Sequence, residues 1–181
     1  MADFNIDNIR ARFTSGGVRN TYFSVFITPM PGGGDPENKL TFTCKAAQLP
    51  GTNIGTIEVP FFGRRIKFAG DRTYEPWNIM VHNDEDFAVR HAFENWIQQM
   101  NKTIDNISEL ANVNDYKAEG YVEQYSRTGS IIRTYKFSGL FPVAVSPIEV
   151  DWGAFDQIEE FQVSLQYDYF TIVDGPGEIN E

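Results

Sequence analysis

Residues Leu40 to Asp84 read LTFTCKAAQLPGTNIGTIEVPFFGRRIKFAGDRTYEPWNIMVHND, and their spacing decides the fold class. Leu40, Phe42, Cys44 and Ala46 alternate with Thr41, Thr43 and Lys45, the pattern of a half-buried antiparallel strand. Residues 49–55, LPGTNIG, break that pattern. Ile57, Val59 and Phe61 then share one parity, Gly63 marks a turn or bulge, and Arg64, Arg65, Ile66, Lys67 and Phe68 form a basic strand. Trp77, Ile79 and Val81 alternate with Asn78, Met80 and His82. A period of two places successive side chains on opposite faces, which only a strand does.

Upstream, residues 3–13 predict a short helix stopped by Gly16 and Gly17, and TYFSVFIT at 21–28 predicts a first strand. PMPGGGDPEN at 29–38 reads as a mobile hairpin connection, because its glycines and prolines oppose both helix and sheet. The strand through Leu40 is therefore expected to pair with the first. Downstream, Asn83 reads as a helix N-cap with Asp86 at the third helical position, and Asp84, Glu85 and Asp86 complement the positive end of the dipole. Val89, Phe93, Trp96, Ile97 and Met100 form one apolar stripe at the helical period. A helix over residues 84–100 would be roughly 25 Å long and would cover a sheet face.

Residues 120–125 and 131–137 predict a hairpin turning at Thr128 and Gly129, and Pro142 and Pro147 are expected to bracket a connection. Phe161, Val163, Leu165, Tyr167 and Tyr169 alternate strictly with Gln162, Ser164, Gln166 and Asp168, which predicts one last strand. Trp77, Phe93, Trp96 and Phe161 are the expected packing residues of the core and its helix. A chain of 181 residues fits one domain, and residues 174–181, DGPGEINE, are expected to form a flexible tail. With 15 Phe, 8 Tyr and 3 Trp beside β-branched runs, the composition points to a mainly β, α+β fold: an antiparallel sandwich or small barrel with one flanking helix.

The net charge of −10 argues against a surface that grips nucleic acid, since phosphate binding needs displacing cations. Acidity is compatible either with simple solubility or with a negative wall along which DNA slides. Cys44 is the only cysteine, so an intrachain disulfide and a cysteine zinc cluster are excluded. No signal-like h-region and no stretch of about 18 apolar residues occurs, which predicts synthesis in the cytoplasm and no membrane insertion by the chain itself.

Catalytic templates fail one by one. His82 ends a strand and His91 lies mid-helix among polar residues; neither an H-E-x-x-H nor a G-x-S-x-G motif is present. The triple glycine at 32–34 is followed by Asp-Pro-Glu, not by the Lys-Ser/Thr of a phosphate loop. The cluster Asn83 to Asp86 lacks the spacing of a calcium loop. Glu159 and Glu160 are adjacent, so on a strand they face opposite ways and cannot flank one glycosidic bond. The reading is a non-enzyme with no cofactor and no metal.

Arg64, Arg65, Lys67 and Arg72 place four of the chain's 15 cations within nine residues. Such a cluster is either a solvated strand face or a charged contact with a partner subunit. Gly70 and Asp71 read as a tight turn with Asp71 bonding its own backbone, and a contact role for Asp71 and Arg72 stands beside that reading.

Taken in order, F-x-C-K-A, the Leu-Pro turn, the basic strand, A-G-D-R-T, the tryptophan and the Asn-Asp pair resemble the tail tube proteins of T4-like contractile-tailed bacteriophages. R-F-x-S-G at Arg12 to Gly16, F-x-x-W at Phe93 to Trp96, G-L-F-P at Gly139 to Pro142, V-D-W at Val150 to Trp152 and the strand from Ile158 to Leu165 extend the resemblance over roughly residues 10 to 170. It implies a hexameric ring whose subunits lend strands to a shared inner barrel, and rings stacked into a hollow conduit inside a contractile sheath. The implied place is the virion tail, and the implied partners are further copies, sheath, baseplate and terminator proteins, with tape measure protein and DNA in the lumen held without sequence-specific binding. Leu49, Pro50, Phe61, Phe62, Arg64, Arg65, Lys67, Asp71 and Arg72 become candidate subunit contacts, the cations facing acidic residues of a neighbour. The Pro29 to Asn38 loop and the extension past Tyr169 depart from the phage pattern. Contractile injection systems share the architecture, so their inner tubes are an alternative, and a monomeric β-sandwich carbohydrate-binding module is the rival of a different class.

Overall fold

The computed structural model describes residues 6–13, 16–30, 36–110 and 112–174. Its elements are α1 (Ile6–Arg12), β1 (Phe23–Thr28), α2 (Pro36–Thr43), β2 (Cys44–Ala47), β3 (Asn53–Phe61), β4 (Arg64–Thr73), β5 (Trp77–His82), α3 (Ala88–Met100), α4 (Val113–Tyr116), β6 (Ala118–Tyr125), β7 (Ile131–Val145), β8 (Glu160–Gln166) and β9 (Tyr169–Asp174). Every strand pairing is antiparallel. The fold is mainly β, with α3 as its longest helix.

The fifteen-residue strand β7 belongs to two halves of the sheet. Its first part lies between β6 and β9, giving the order β1-β6-β7-β9, and its last part pairs with β8 in the order β7-β8-β5-β2. The junction is Gly139, whose φ of +70° suits a residue without a side chain. A Cβ built there would lie 2.7 Å from Cγ of Asp168. The halves fold over one core: Val25, Ile27, Val122 and Phe137 from one meet Trp77, Ile79, Val81, Phe161 and Val163 from the other. Trp77 and Phe137 stack at 4.3 Å between centroids, and the Trp77 indole N–H donates to the Gln48 carbonyl at 2.8 Å.

α3 closes the core with Val89, Ala92, Phe93 and Trp96, and the Trp96 indole N–H donates to the Tyr116 carbonyl at 2.8 Å. The helix starts at Ala88, four residues later than the sequence predicts, and Asn83 is not its cap. Asn83 instead extends the β5–β8 ladder, its backbone N–H donating to the Glu159 carbonyl at 2.8 Å and its side-chain amide to the Glu159 carboxylate at 2.9 Å. Residues 84–87 form a turn that ends on Phe87 at φ +53°, and the Ala88 N–H donates to the Asp86 carboxylate at 3.0 Å.

Other expectations are corrected by tertiary pairing. Residues Leu40 to Thr43 are helical, not extended, and β1 and β2 form no hairpin: β1 pairs with β6 and β2 with β5. Pro36 opens α2, a position where its missing N–H costs nothing. Leu40 is fully buried while Phe42 points to solvent, so their apparent strand parity is accidental. Of the predicted 29–38 connection, residues 31–35 lie outside the described residues. Pro142 sits inside β7 next to a register shift, where a strand tolerates a missing donor. The expected single strand through Tyr169 is split after Gln166: Tyr167 remains buried, the Asp168 N–H donates to the Ser138 carbonyl at 2.9 Å, and the chain moves along β7 to become β9. Most of the proposed tail, residues 175–181, also lies outside the described residues.

Candidate assembly interface

β3 and β4 pack chiefly on each other and stand off the rest of the chain. Nine residues of β3 at about 3.4 Å each give a ribbon roughly 30 Å long. Its register pairs Ile57 with Phe68, Val59 with Ile66 and Phe61 with Arg64. Alternation therefore gathers Ile57, Val59, Phe61, Ile66 and Phe68 on one face, and each is exposed. The other face pairs Glu58 with Lys67 and Pro60 with Arg65. There Glu58 holds Arg65 at 2.9 Å and Lys67 at 3.4 Å.

The tip is a two-residue turn, Phe62 at φ +43° and Gly63 at φ +77°. Two positive φ values match the turn that follows the natural twist of a hairpin. Glycine takes that conformation freely, whereas for Phe62 it costs on the order of 1 kcal/mol. The result is a ring 92% exposed at the end of the ribbon, edge-on to Phe61 at 4.7 Å.

Gly70 and Asp71 do not form the expected tight turn; both lie in β4 at a bulge opposite Gly55. The backbones approach so closely that a Cβ on Gly70 would sit 3.0 Å from the Gly55 carbonyl oxygen. Two facing glycines allow the bulge, which increases the local twist of the ribbon.

The structure gathers Phe61, Phe62, Arg64, Arg65, Lys67, Asp71 and Arg72 on this ribbon, and Leu49 and Pro50 at its entry. Trp77, Phe93, Trp96 and Phe161 are buried in the body. Two further surfaces escaped the sequence reading. The outer face of β1-β6-β7-β9 carries Ser24, Thr28, Glu119, Glu123, Lys136 and Ser138, opposite the buried Val25, Ile27, Val122 and Phe137. On it Glu119 accepts from Lys136 at 2.8 Å and from the Tyr121 hydroxyl at 2.6 Å, and the lysine holds its carboxyl below the usual range. The second surface is the loop 146–159, where Val150, Trp152, Phe155 and Ile158 are exposed among Glu149, Asp151, Asp156 and Glu159. Its signal was apolar side chains interleaved with acids between two prolines and a strand.

A sequence profile described as phage tail tube protein matches residues 8–173. The chain is 32% identical over 167 residues to the tail tube protein gp19 of Enterobacteria phage T4, covering 91% of this chain and 98% of that protein. In fold it is similar to a chain of the anti-feeding prophage baseplate, with a TM-score of 0.64 at 10% identity over 89% of this chain and 97% of that one. A chain of the sheath-tube complex of an extracellular contractile injection system gives a TM-score of 0.55 at 15% identity over 94% of this chain and 98% of that one. Those two likenesses concern the fold; the sequence match across nearly the whole chain decides the family. This chain belongs to the phage tail tube proteins.

Proposed function

We propose that this chain is the repeating subunit of a phage tail tube: six copies close a ring, and rings stack into a rigid conduit inside a contractile sheath through which DNA passes. The reading requires no catalysis. The observation that carries it is the β3–β4 ribbon, an apolar face exposed in one copy and held off its own core. Such a face marks an interaction surface. Withdrawing the exposed halves of its five apolar side chains from water is worth on the order of 5 kcal/mol before the costs of association.

Ring closure has its own support. Among the described residues β1 pairs only with β6, and β9 only with β7, so the first half-sheet ends in two free edges. Neighbouring copies that join these edges around a ring remove both. The polar face carrying Glu119, Glu123 and Lys136 then lines the channel, and in a chain of net charge −10 it offers phosphate little attraction. Sheath, baseplate and terminator proteins are the partners on the outside and at the ends, with tape measure protein and DNA inside.

Electron microscopy of the concentrated chain tests the proposal. Tubes of constant width built from six-fold rings are expected. Persistent monomers with saturable sugar binding would overturn it in favour of a carbohydrate-binding module. Arg64→Glu with Arg65→Glu is expected to leave a folded subunit that forms no tubes; unchanged tube yield would remove these arginines from the contact.

A further inference from the structure

Among the described residues, nine of the chain's 15 Lys and Arg side chains are ion-paired. Three of the other six, Arg12, Arg19 and Arg127, line one cavity of about 830 Å³. That volume is within the range of sites that take a ligand. In a chain of net charge −10, guanidiniums gathered without a carboxylate repel one another and leave planar sets of donors unused.

The cavity is held in shape by backbone. Gly16 and Gly17, at φ +75° and +78°, reverse the chain after α1. The Arg127 guanidinium lies against Gly16, its Nη1 3.6 Å from where a Cβ would stand. The Tyr125 N–H donates to the Tyr22 carbonyl at 3.0 Å, which ties the entry of β1 to the end of β6. Arg127 rides on a fixed turn, because the Ser126 hydroxyl oxygen accepts from the Thr128 and Ser130 N–H groups at 3.2 and 3.1 Å. The same walls carry Phe13, Val18, Tyr22 and Ile132. Arginines set among apolar side chains suit a peptide whose carboxylates flank an apolar residue, since each guanidinium can take a carboxylate on two parallel N–H groups.

Such a peptide begins beside the cavity. Strand β9 runs antiparallel to β7 and ends with Asp174 opposite Thr134. The chain leaving Asp174 is therefore directed along β7 toward Ile131 and the 126–130 turn. Ile132 in the cavity wall is two residues, roughly 7 Å, from Thr134. Residues 175–181 read GPGEINE, with Glu178 and Glu181 on either side of Ile179 and no cation. Four residues reach up to about 14 Å and seven up to about 25 Å, enough to bring both carboxylates over the cavity.

We infer that the arginine cavity is an acidic-peptide site and that its occupant is residues 175–181 of the same chain, Glu178 and Glu181 pairing with Arg12, Arg19 and Arg127 while Ile179 packs among the apolar walls. The inference concerns a single copy and does not rest on the tube reading. Tyr125 joins the cavity wall to the polar outer face through its 2.9 Å bond with Ser24. The seated segment thus offsets a cationic patch at one end of that face.

The experiment is intrachain photo-cross-linking in the full chain, at a concentration where no tubes form. With p-benzoylphenylalanine replacing Asn180, irradiation is expected to join position 180 to residues 12–22 or 125–132. In a mixture of heavy-isotope-labelled and ordinary chains, each cross-linked peptide pair should carry one label only. Glu178→Arg with Glu181→Arg is expected to cut the yield at least about ten-fold, because each charge-assisted hydrogen bond lost is worth that or more. Adding Arg12→Glu and Arg127→Glu to that chain is expected to restore it. The tail variant alters no described element, so its result stands whether or not the arginine variant folds. Cross-links to any other segment, pairs of mixed label, or an undiminished yield in the tail variant would each overturn the proposal. Binding of a short fluorescent DNA duplex through these arginines, with no tail cross-link, would give the cavity to phosphate and overturn it as well.

Discussion

Replacing Gly139 with alanine tests the junction on which the two half-sheets turn. The residue sits at φ +70°, where an alanine costs about 1–2 kcal/mol relative to right-handed backbone. Its new methyl would also meet the Asp168 carboxyl, 2.7 Å from Cγ and closer to one oxygen. Asp168 would have to swing away, loosening its 2.6 Å ion pair with Lys117, a partly exposed pair worth no more than about 1 kcal/mol. Alanine's stiffer unfolded chain returns about 0.4–1 kcal/mol. The balance is a loss of about 2 kcal/mol, which in a chain of this size lowers Tm by roughly 4–8 °C. Urea unfolding at a protein concentration where the midpoint is concentration-independent measures it. The same substitution on an Asp168→Ala background should cost about 1 kcal/mol less, because the steric partner is gone. A loss below about 0.5 kcal/mol refutes the strained junction, and an equal loss on both backgrounds refutes the collision with Asp168.

Two further predictions concern titrating groups. Burial pushes the Cys44 thiol up to about 12, so at pH 8 an aromatic disulfide reagent should label the folded chain at least about a hundred times more slowly than free cysteine, and label it fully in urea; labelling at the free-cysteine rate would contradict the packing of β2. Glu119 is held below its ordinary value of 4.5, chiefly by Lys136. Its contribution is present above the unfolded value and lost as pH falls through the lowered folded one. Glu119→Gln should therefore be less stable than wild type at pH 6, by under about 1 kcal/mol for so exposed a pair, with the gap closing as pH falls below 4.5 in parallel urea titrations.

What the sequence made legible follows from which faces are buried within one chain. Strands β5 and β8 alternate apolar and polar residues because each has one face on the core, and the stripe Val89, Phe93, Trp96 survives in α3 for the same reason. Leu40 to Thr43 misled because four residues fit both periods, and only the packing of α2 on β1 and α3 distinguishes them. The strict alternation from Phe161 to Tyr169 hid that β8 and β9 are separate strands: the buried parity switches at Asp168, so that Phe161, Val163, Leu165 and Tyr167 face the core before it, Phe170 and Ile172 after it, and Tyr169 is exposed. In the ribbon, Ile57, Val59 and Phe61 have the pattern of a strand that covers a core, yet each stays exposed and β3 packs chiefly on β4. Periodicity reports that a face is meant to be dry; it does not report whose atoms dry it.

That distinction bears on why the two assembly surfaces are placed where they are. An apolar ribbon beside the acidic loop 146–159 would fold back on it and satisfy itself, leaving a stable monomer. Here β5 separates them: the ribbon leaves from its Trp77 end, and the loop joins β8 at its His82 end. In the proposed assembly another copy covers them, and covering one leaves the same surface uncovered on the newcomer. In the proposed stack, each added ring faces the same free-energy change as the last. The net charge of −10 opposes random association of free subunits, while residues 53–73, with four cations against two carboxylates, lower that repulsion at the ribbon. In the proposed tube, the ribbon with Phe62 at its tip lies at one end of β5, away from the acidic loop at the other.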